Sequence, residues 1–259
     1  MSIRKTAPYL AAVAALAFAS VSQAGLLVAG SQYEVSDQNG NVFTPNPDNG
    51  YYSGVSFSIN NGSTTRTVNT SAGVFSLDYR NYNSGEAWTP FLSFCLQPDV
   101  YLTPFLNPYT ANTVGSVSSN YGGNYDQAGI SELWGRFYGQ VANPTNSQTS
   151  DINAAAFQVA LWELSYGNRD RNLLTGSFQL TSGGAVGAVA QAWLNALNGS
   201  GPMADGLLVL TNTIDRQCTS SANCGDRQDL ITRVPEPASL ALLGLGLLGV
   251  GIRRRKRAA

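Results

Sequence analysis

Residues 238–252 form an uncharged apolar run of 15 residues, followed by Arg253, Arg254, Arg255, Lys256 and Arg257. The run is short of the ~20 residues that cross a bilayer comfortably. The cations cannot enter hydrocarbon and hold that end on the cytoplasmic side. Pro235, Glu236 and Pro237 stand just before it. Residues 234–259 therefore lie outside any globular core, and everything before them faces away from the cytoplasm. The start of the chain shows the same division. Arg4 and Lys5 precede an alanine-rich apolar stretch at residues 10–19, and Ser22-Gln23-Ala24 supplies small residues three and one before a cut. This is the layout of a secretory signal peptide over residues 1–24, with cleavage between Ala24 and Gly25. The foldable part is confined to residues 25–233.

The tail closely resembles the PEP-CTERM sorting signal of Gram-negative bacteria. The resemblance rests on Pro235-Glu236-Pro237, the Leu/Gly-rich span at residues 240–250 and the terminal arginine cluster. It implies recognition by exosortase, a membrane-embedded cysteine protease that cuts near the triplet. It also implies transient anchoring in the inner membrane and a final place at the cell surface or in the extracellular matrix. The alternative is an ordinary C-terminal transmembrane helix that stays in place.

Removing both ends changes the electrostatics. Between Gly25 and Val234 the chain has eight arginines, no lysine and fifteen acidic residues, a net charge of −7 that the whole chain's −1 conceals. An acidic exported domain argues against nucleic acid and anionic membranes as partners, since both need a basic surface. The chain has no histidine. That excludes a Ser-His-Asp triad, a Cys-His pair and a histidine-ligated metal. Paired carboxylates could still hydrolyse a glycan, but no pair stands out by spacing. The expectation is a protein that is not an enzyme and holds no metal or cofactor.

The hydropathy pattern predicts an α+β fold. Strands are expected within residues 25–80, where Val55, Phe57 and Ile59 alternate with serines and Asn-Gly pairs mark hairpin turns. Residues 90–97 form the most apolar strand candidate, and residues 98–128 read as loop or irregular β. Helical spacing covers residues 130–140 and 185–197. The strongest helix is expected over residues 152–166, with Ser150 or Asp151 as N-cap and Gly167 as its stop. Residues 207–210 read as a closing strand. The exported domain would then span residues 25–216, β-rich first, with a helical insertion between residues 130 and 198. Residues 217–233 would hold a disulfide loop and a linker, since Cys218 and Cys224 lie six apart in a polar, turn-rich stretch of an exported chain.

Cys95 is left without a cysteine partner. It stands in an apolar strand candidate, and Gln158 stands in the strongest helix on a stripe with Ala155, Leu161 and Trp162. A buried amide needs a partner. A Cys95 thiolate attacking the Gln158 side-chain carbonyl would expel ammonia and leave an internal thioester, removing both the amide and the free thiol. The bland alternative keeps Cys95 as a small buried hydrophobe and lets Gln158 bond a neighbouring backbone.

At these positions the chain resembles the thioester domains of bacterial surface adhesins. The matching residues are Phe94-Cys95-Leu96 and Phe157-Gln158-Val159-Ala160-Leu161-Trp162. The resemblance implies that Cys95 and Gln158 are the linked pair, with Trp162, Phe94 and Phe157 shielding it from water. An acidic residue after the cysteine is matched only loosely, by Asp99. The lysine-free domain has no side-chain amine to consume its own thioester, and composition bias explains that equally well. Two functions remain: a surface protein that attaches covalently to a nucleophile on a surface or exopolysaccharide, and a passive, polysaccharide-binding component of the extracellular matrix.

Overall fold

The computed structural model describes residues 26–38, 51–60, 62–100, 102, 108–119, 123–142, 147–166, 170–212 and 228–234. In chain order the elements are β1 (Gln32–Ser36), β2 (Tyr51–Asn60), β3 (Thr65–Gly73), β4 (Phe75–Asn81), β5 (Thr89–Cys95), β6 (Pro108–Thr113), β7 (Ser118–Ser119), β8 (Gly123–Asn124), α1 (Gln127–Ala142), α2 (Ser147–Tyr166), β9 (Phe178–Ser182), α3 (Gly184–Ala196), β10 (Leu207–Asn212) and β11 (Leu230–Arg233). The fold is α+β. Six strands close an antiparallel barrel in the order β1-β4-β5-β11-β10-β6, and β3-β2-β9 form a second sheet.

Period-two alternation is clearest in β2. In β2, Val55, Phe57 and Ile59 are buried beside less buried Ser56 and Ser58. Their face meets α2, where Phe57 packs on Trp162 with ring centroids 5.1 Å apart. The β2–β3 register slips between Tyr52 and Val55, and Gly54 sits there at φ +88°. A bulge at a positive φ is what glycine tolerates and an L side chain resists. In β1, Tyr33 and Val35 are buried with Glu34, whose carboxylate pairs with Arg80 on β4.

Helix α2 is buried on every face over residues 154–166. A helix with no solvent-facing side over that length belongs in a core. It lies on β2 and β3, against α1 and α3, and reaches the end of β5. Ala154, Ala155, Ala156 and Ala160 give those neighbours close approach.

Several expectations need correction. Helix α2 starts at Ser147, a turn before the anticipated cap. The supposed irregular stretch contains β6, which pairs with both β1 and β10 and completes the barrel. Only Tyr109 and Ala111 of that strand are fully buried, so its alternation is easily overlooked. The helical insertion is interrupted by β9, which pairs with β2. The linker expected over residues 217–233 ends earlier: Leu230, Ile231 and Thr232 are buried, and β11 sits between β5 and β10. Residues 1–25, the Cys218–Cys224 pair and residues 235–259 lie outside the described residues. No helix among the described residues is long and apolar enough to cross a membrane.

Candidate functional site

The structure brings Cys95 and Gln158 together. The Cys95 backbone N–H donates to Gln158 Oε1 at 2.9 Å, and Gln158 Nε2 donates to the Cys95 carbonyl oxygen at 2.7 Å. Each residue is 1 % exposed.

Strand register explains why this backbone is available. The Leu96 N–H donates to the Asp229 carbonyl at 2.9 Å. In an antiparallel pair, successive residues turn their N–H and C=O to opposite sides. Cys95, cross-strand neighbour of Leu230, therefore turns its polar groups away from β11. On that side β4 ends at Phe75, paired with Ser93. The next rung would fall opposite residue 73, which belongs to β3 in the other sheet. The Gln158 carboxamide takes the place of that rung, one donor and one acceptor edge standing in for a strand residue.

Aromatic rings enclose the junction. Phe94 packs on Phe157 at 4.8 Å and edge-on to Trp134 at 5.5 Å between centroids. Trp162 lies against Phe57 and, at 6.3 Å, Phe178. All six rings are nearly or fully removed from solvent. Burial pushes the Cys95 thiol well above its ordinary range, and the negative charges of Asp99 and Asp229 push the same way. The Trp162 indole and the Gln97 backbone N–H oppose that shift. The indole N–H lies near enough to favour a thiolate yet completes no hydrogen bond of ordinary geometry.

The chemistry this arrangement permits is specific. The Gln158 carbonyl, accepting from the Cys95 N–H, is already polarised at the oxygen where charge would develop during attack on its carbon. The thiol belongs to the same residue as that donor. Aromatic walls exclude competing water.

Sequence reasoning did not single out Glu163, Tyr166 or Asp229. Glu163 is fully buried next to Asp170. Burial first, then the neighbouring Asp170 carboxylate, push it up to about 9, so it is protonated at neutral pH. Tyr166 follows Gln158 and Trp162 at four-residue steps on one face of α2, and its hydroxyl donates to Asp99 Oδ1 at 3.3 Å. That spacing was the available signal. An open cleft lined by Asp170, Asn172, Leu180, Ser182, Gln191 and Asn195 includes none of the residues at the Cys95–Gln158 junction. No cluster of three or more potential metal ligands occurs among the described residues.

No curated protein and no solved structure matches this chain. Residues 233–256 match the family model of the PEP-CTERM protein-sorting motif. Pro235, Glu236, Pro237, the apolar run and the basic cluster as far as Lys256 fall within that match, so this chain carries the PEP-CTERM signal of an exported surface protein sorted by exosortase.

Proposed function

We propose that the exported domain attaches covalently to a partner through an internal thioester between Cys95 and Gln158. The observation behind this reading is the doubly hydrogen-bonded Gln158 carboxamide on the Cys95 backbone, inside a sealed aromatic site. The sulfur attacks the Gln158 side-chain carbon, the tetrahedral oxyanion keeps the Cys95 N–H, and the carbon–nitrogen bond breaks as the thiol's proton ends on the nitrogen, which leaves as ammonia. The acyl group then stays latent until a nucleophile on a surface or exopolysaccharide reaches it. The reaction consumes the thioester once, so the protein is an attachment device and not an enzyme, and it uses no cofactor. The sorting signal holds it transiently in the inner membrane and then delivers it to the cell surface or matrix.

Intact mass spectrometry of the mature protein tests this. The wild type should weigh one ammonia less than its sequence, and Gln158→Ala should show no such deficit. Incubation with methylamine should convert Gln158 to its N-methyl amide and free one thiol. A full-mass wild type whose Cys95 titrates with thiol reagents after unfolding would remove the proposal.

One observation favours a second reading. The same two hydrogen bonds already satisfy the buried amide without any reaction. The domain would then be a passive, polysaccharide-binding matrix component with Gln158 as a structural clamp, and methylamine would not be incorporated.

A further inference from the structure

The Gln158 carboxamide meets one residue with both of its polar atoms. Oε1 accepts from the Cys95 N–H at 2.9 Å, and Nε2 donates to the Cys95 carbonyl oxygen at 2.7 Å. An amide nitrogen carries two hydrogens. Only the hydrogen on the same side as Oε1 can reach the carbonyl of the residue whose N–H holds Oε1. The other points back along the Gln158 side chain. The clamp therefore reads one position on the nitrogen, and what it accepts there is hydrogen.

Resting on the thioester reading, we propose that this edge makes capture one-way. Gln158 returns to the clamp only as the unsubstituted carboxamide, so a partner amine or hydroxyl, once bound, stays bound and leaves α2 unlatched from β5. When a primary amine opens the thioester, its nitrogen bonds to the Gln158 side-chain carbon and the carbon–sulfur bond breaks. The surplus proton of the amine ends on the Cys95 sulfur as the thiol. The product is a secondary amide, and such amides are trans. In a trans amide the substituent lies on the carbonyl-oxygen side of the nitrogen, where the bonded hydrogen of Gln158 stood. Nitrogen and carbonyl oxygen are 2.7 Å apart in the clamp, so no carbon fits between them. The cis form would restore the hydrogen, but it is rarely populated outside proline. A hydroxyl gives an ester, whose linking oxygen would face the Cys95 carbonyl oxygen with no proton between them. Both products must leave the edge, whereas ammonia restores the original carboxamide.

Ring closure starts from the clamped carboxamide, whose carbonyl is polarised by the Cys95 N–H beside the thiol of the same residue. An adduct that cannot clamp cannot present its carbonyl in that way, so the sulfur does not expel the partner again. Cys95 and Gln158 are each 1 % exposed, so a side chain carrying a partner has to swing outward. The Cys95 N–H and C=O then lose their contacts with α2. On the opposite edge of β5, the Leu96 N–H keeps its bond to the Asp229 carbonyl at 2.9 Å. Neighbouring amides of one strand thus report separately on the clamp and on the barrel.

Two readouts on the full mature chain test this. One sample is opened with ammonia and another with methylamine. After the free amine is removed, intact mass and free thiol are followed. The ammonia-opened chain should lose one ammonia and its thiol. The methylamine-opened chain should reclose about 10²-fold more slowly or not at all, the factor set by the rarity of the cis amide. Hydrogen exchange separates the clamp from ordinary differences between the two leaving amines. With the first sample held open in ammonium buffer, its Cys95 amide should be protected, and the methylamine adduct should exchange that amide at least about tenfold faster. The Leu96 amide should be equally protected in both. Methylamine expelled as fast as ammonia overturns the inference, as does an ammonia-opened chain that stays open. Equal protection of the Cys95 amide in the two opened forms, or loss of Leu96 protection along with it, overturns the assignment to this rung. A wild type of full mass that takes up no methylamine overturns the thioester reading itself, and this inference with it.

Discussion

Replacing Gln158 with glutamate probes the two hydrogen bonds that dock α2 on β5. A carboxamide offers Cys95 one acceptor and one donor, whereas a carboxylate offers two acceptors. In Gln158→Glu an oxygen would take the position of Nε2, 2.7 Å from the Cys95 carbonyl oxygen. Two buried oxygens hold that distance only with a proton between them. The folded state must therefore bind a proton, which raises the glutamate pKa above the unfolded value of ~4.3. An acid whose folded pKa is raised causes no loss below its unfolded pKa. Above that value stability falls by about 1.4 kcal/mol per pH unit until the folded pKa is reached. From about pH 4 to pH 7 the loss grows toward about 4 kcal/mol, a large share of the roughly 5–15 kcal/mol that holds a domain together. Urea unfolding should compare Cys95→Ala with Cys95→Ala/Gln158→Glu, because neither chain can form a cross-link and their shared carboxylates cancel. A stability difference that stays flat over this pH range refutes the argument that Nε2 donates to a buried carbonyl. Gln158→Ala in the same background should be destabilised at every pH by about 2–6 kcal/mol, since two buried backbone groups lose partners worth about 1–3 kcal/mol each.

Trp162→Ala removes a ring that packs on Phe57 and Phe178. It should cost about 3–5 kcal/mol and speed methylamine opening of the thioester, read by intact mass. Glu163→Gln should match wild type near pH 4 and become progressively more stable than it up to pH 9, because the buried acid, pushed up to about 9, weakens the wild type as pH rises above its unfolded value; thermal melts against pH measure this. Pro235→Ala, or deletion of residues 253–257, should leave the chain unprocessed and membrane-bound on fractionation, whereas normal release of both variants would mark the tail as a plain anchor.

The parts of the fold legible in the sequence are those with local periodicity. Val55, Phe57 and Ile59 announce β2, and the apolar, alanine-rich stretch through Trp162 announces the central helix. Strands β6, β9 and β11 escaped because their evidence is non-local. β11 has four residues and becomes a strand only when β5 and β10 flank it. β9 buries Phe178 and leaves most of its length open, as an edge strand does. A short segment gains little from its own propensity and much from cross-strand neighbours. The same division runs through the site. Phe94-Cys95-Leu96 and Phe157-Gln158 through Trp162 stand out in sequence, but nothing local says which way the Cys95 amide points.

Register supplies that direction, and it bears on both readings of the site. The Leu96 bond to Asp229 fixes the parity of β5. Slipping β5 by one residue against β11 would hand the Cys95 N–H to β11 and leave Gln158 facing a paired strand. It would also turn the Cys95 side chain toward the opposite face. Both the clamp and the thioester therefore require the same parity, with β4 stopping one rung short to leave the edge open. A clamp alone needs only an amide on that edge, and an asparagine or glutamine on any packed element could provide it. The thioester further requires that the residue whose backbone is clamped carry the nucleophile itself. Among the described residues Cys95 is the cysteine, and it stands at that rung. The coincidence of open edge, clamped amide and thiol at one residue is the observation on which the thioester proposal rests.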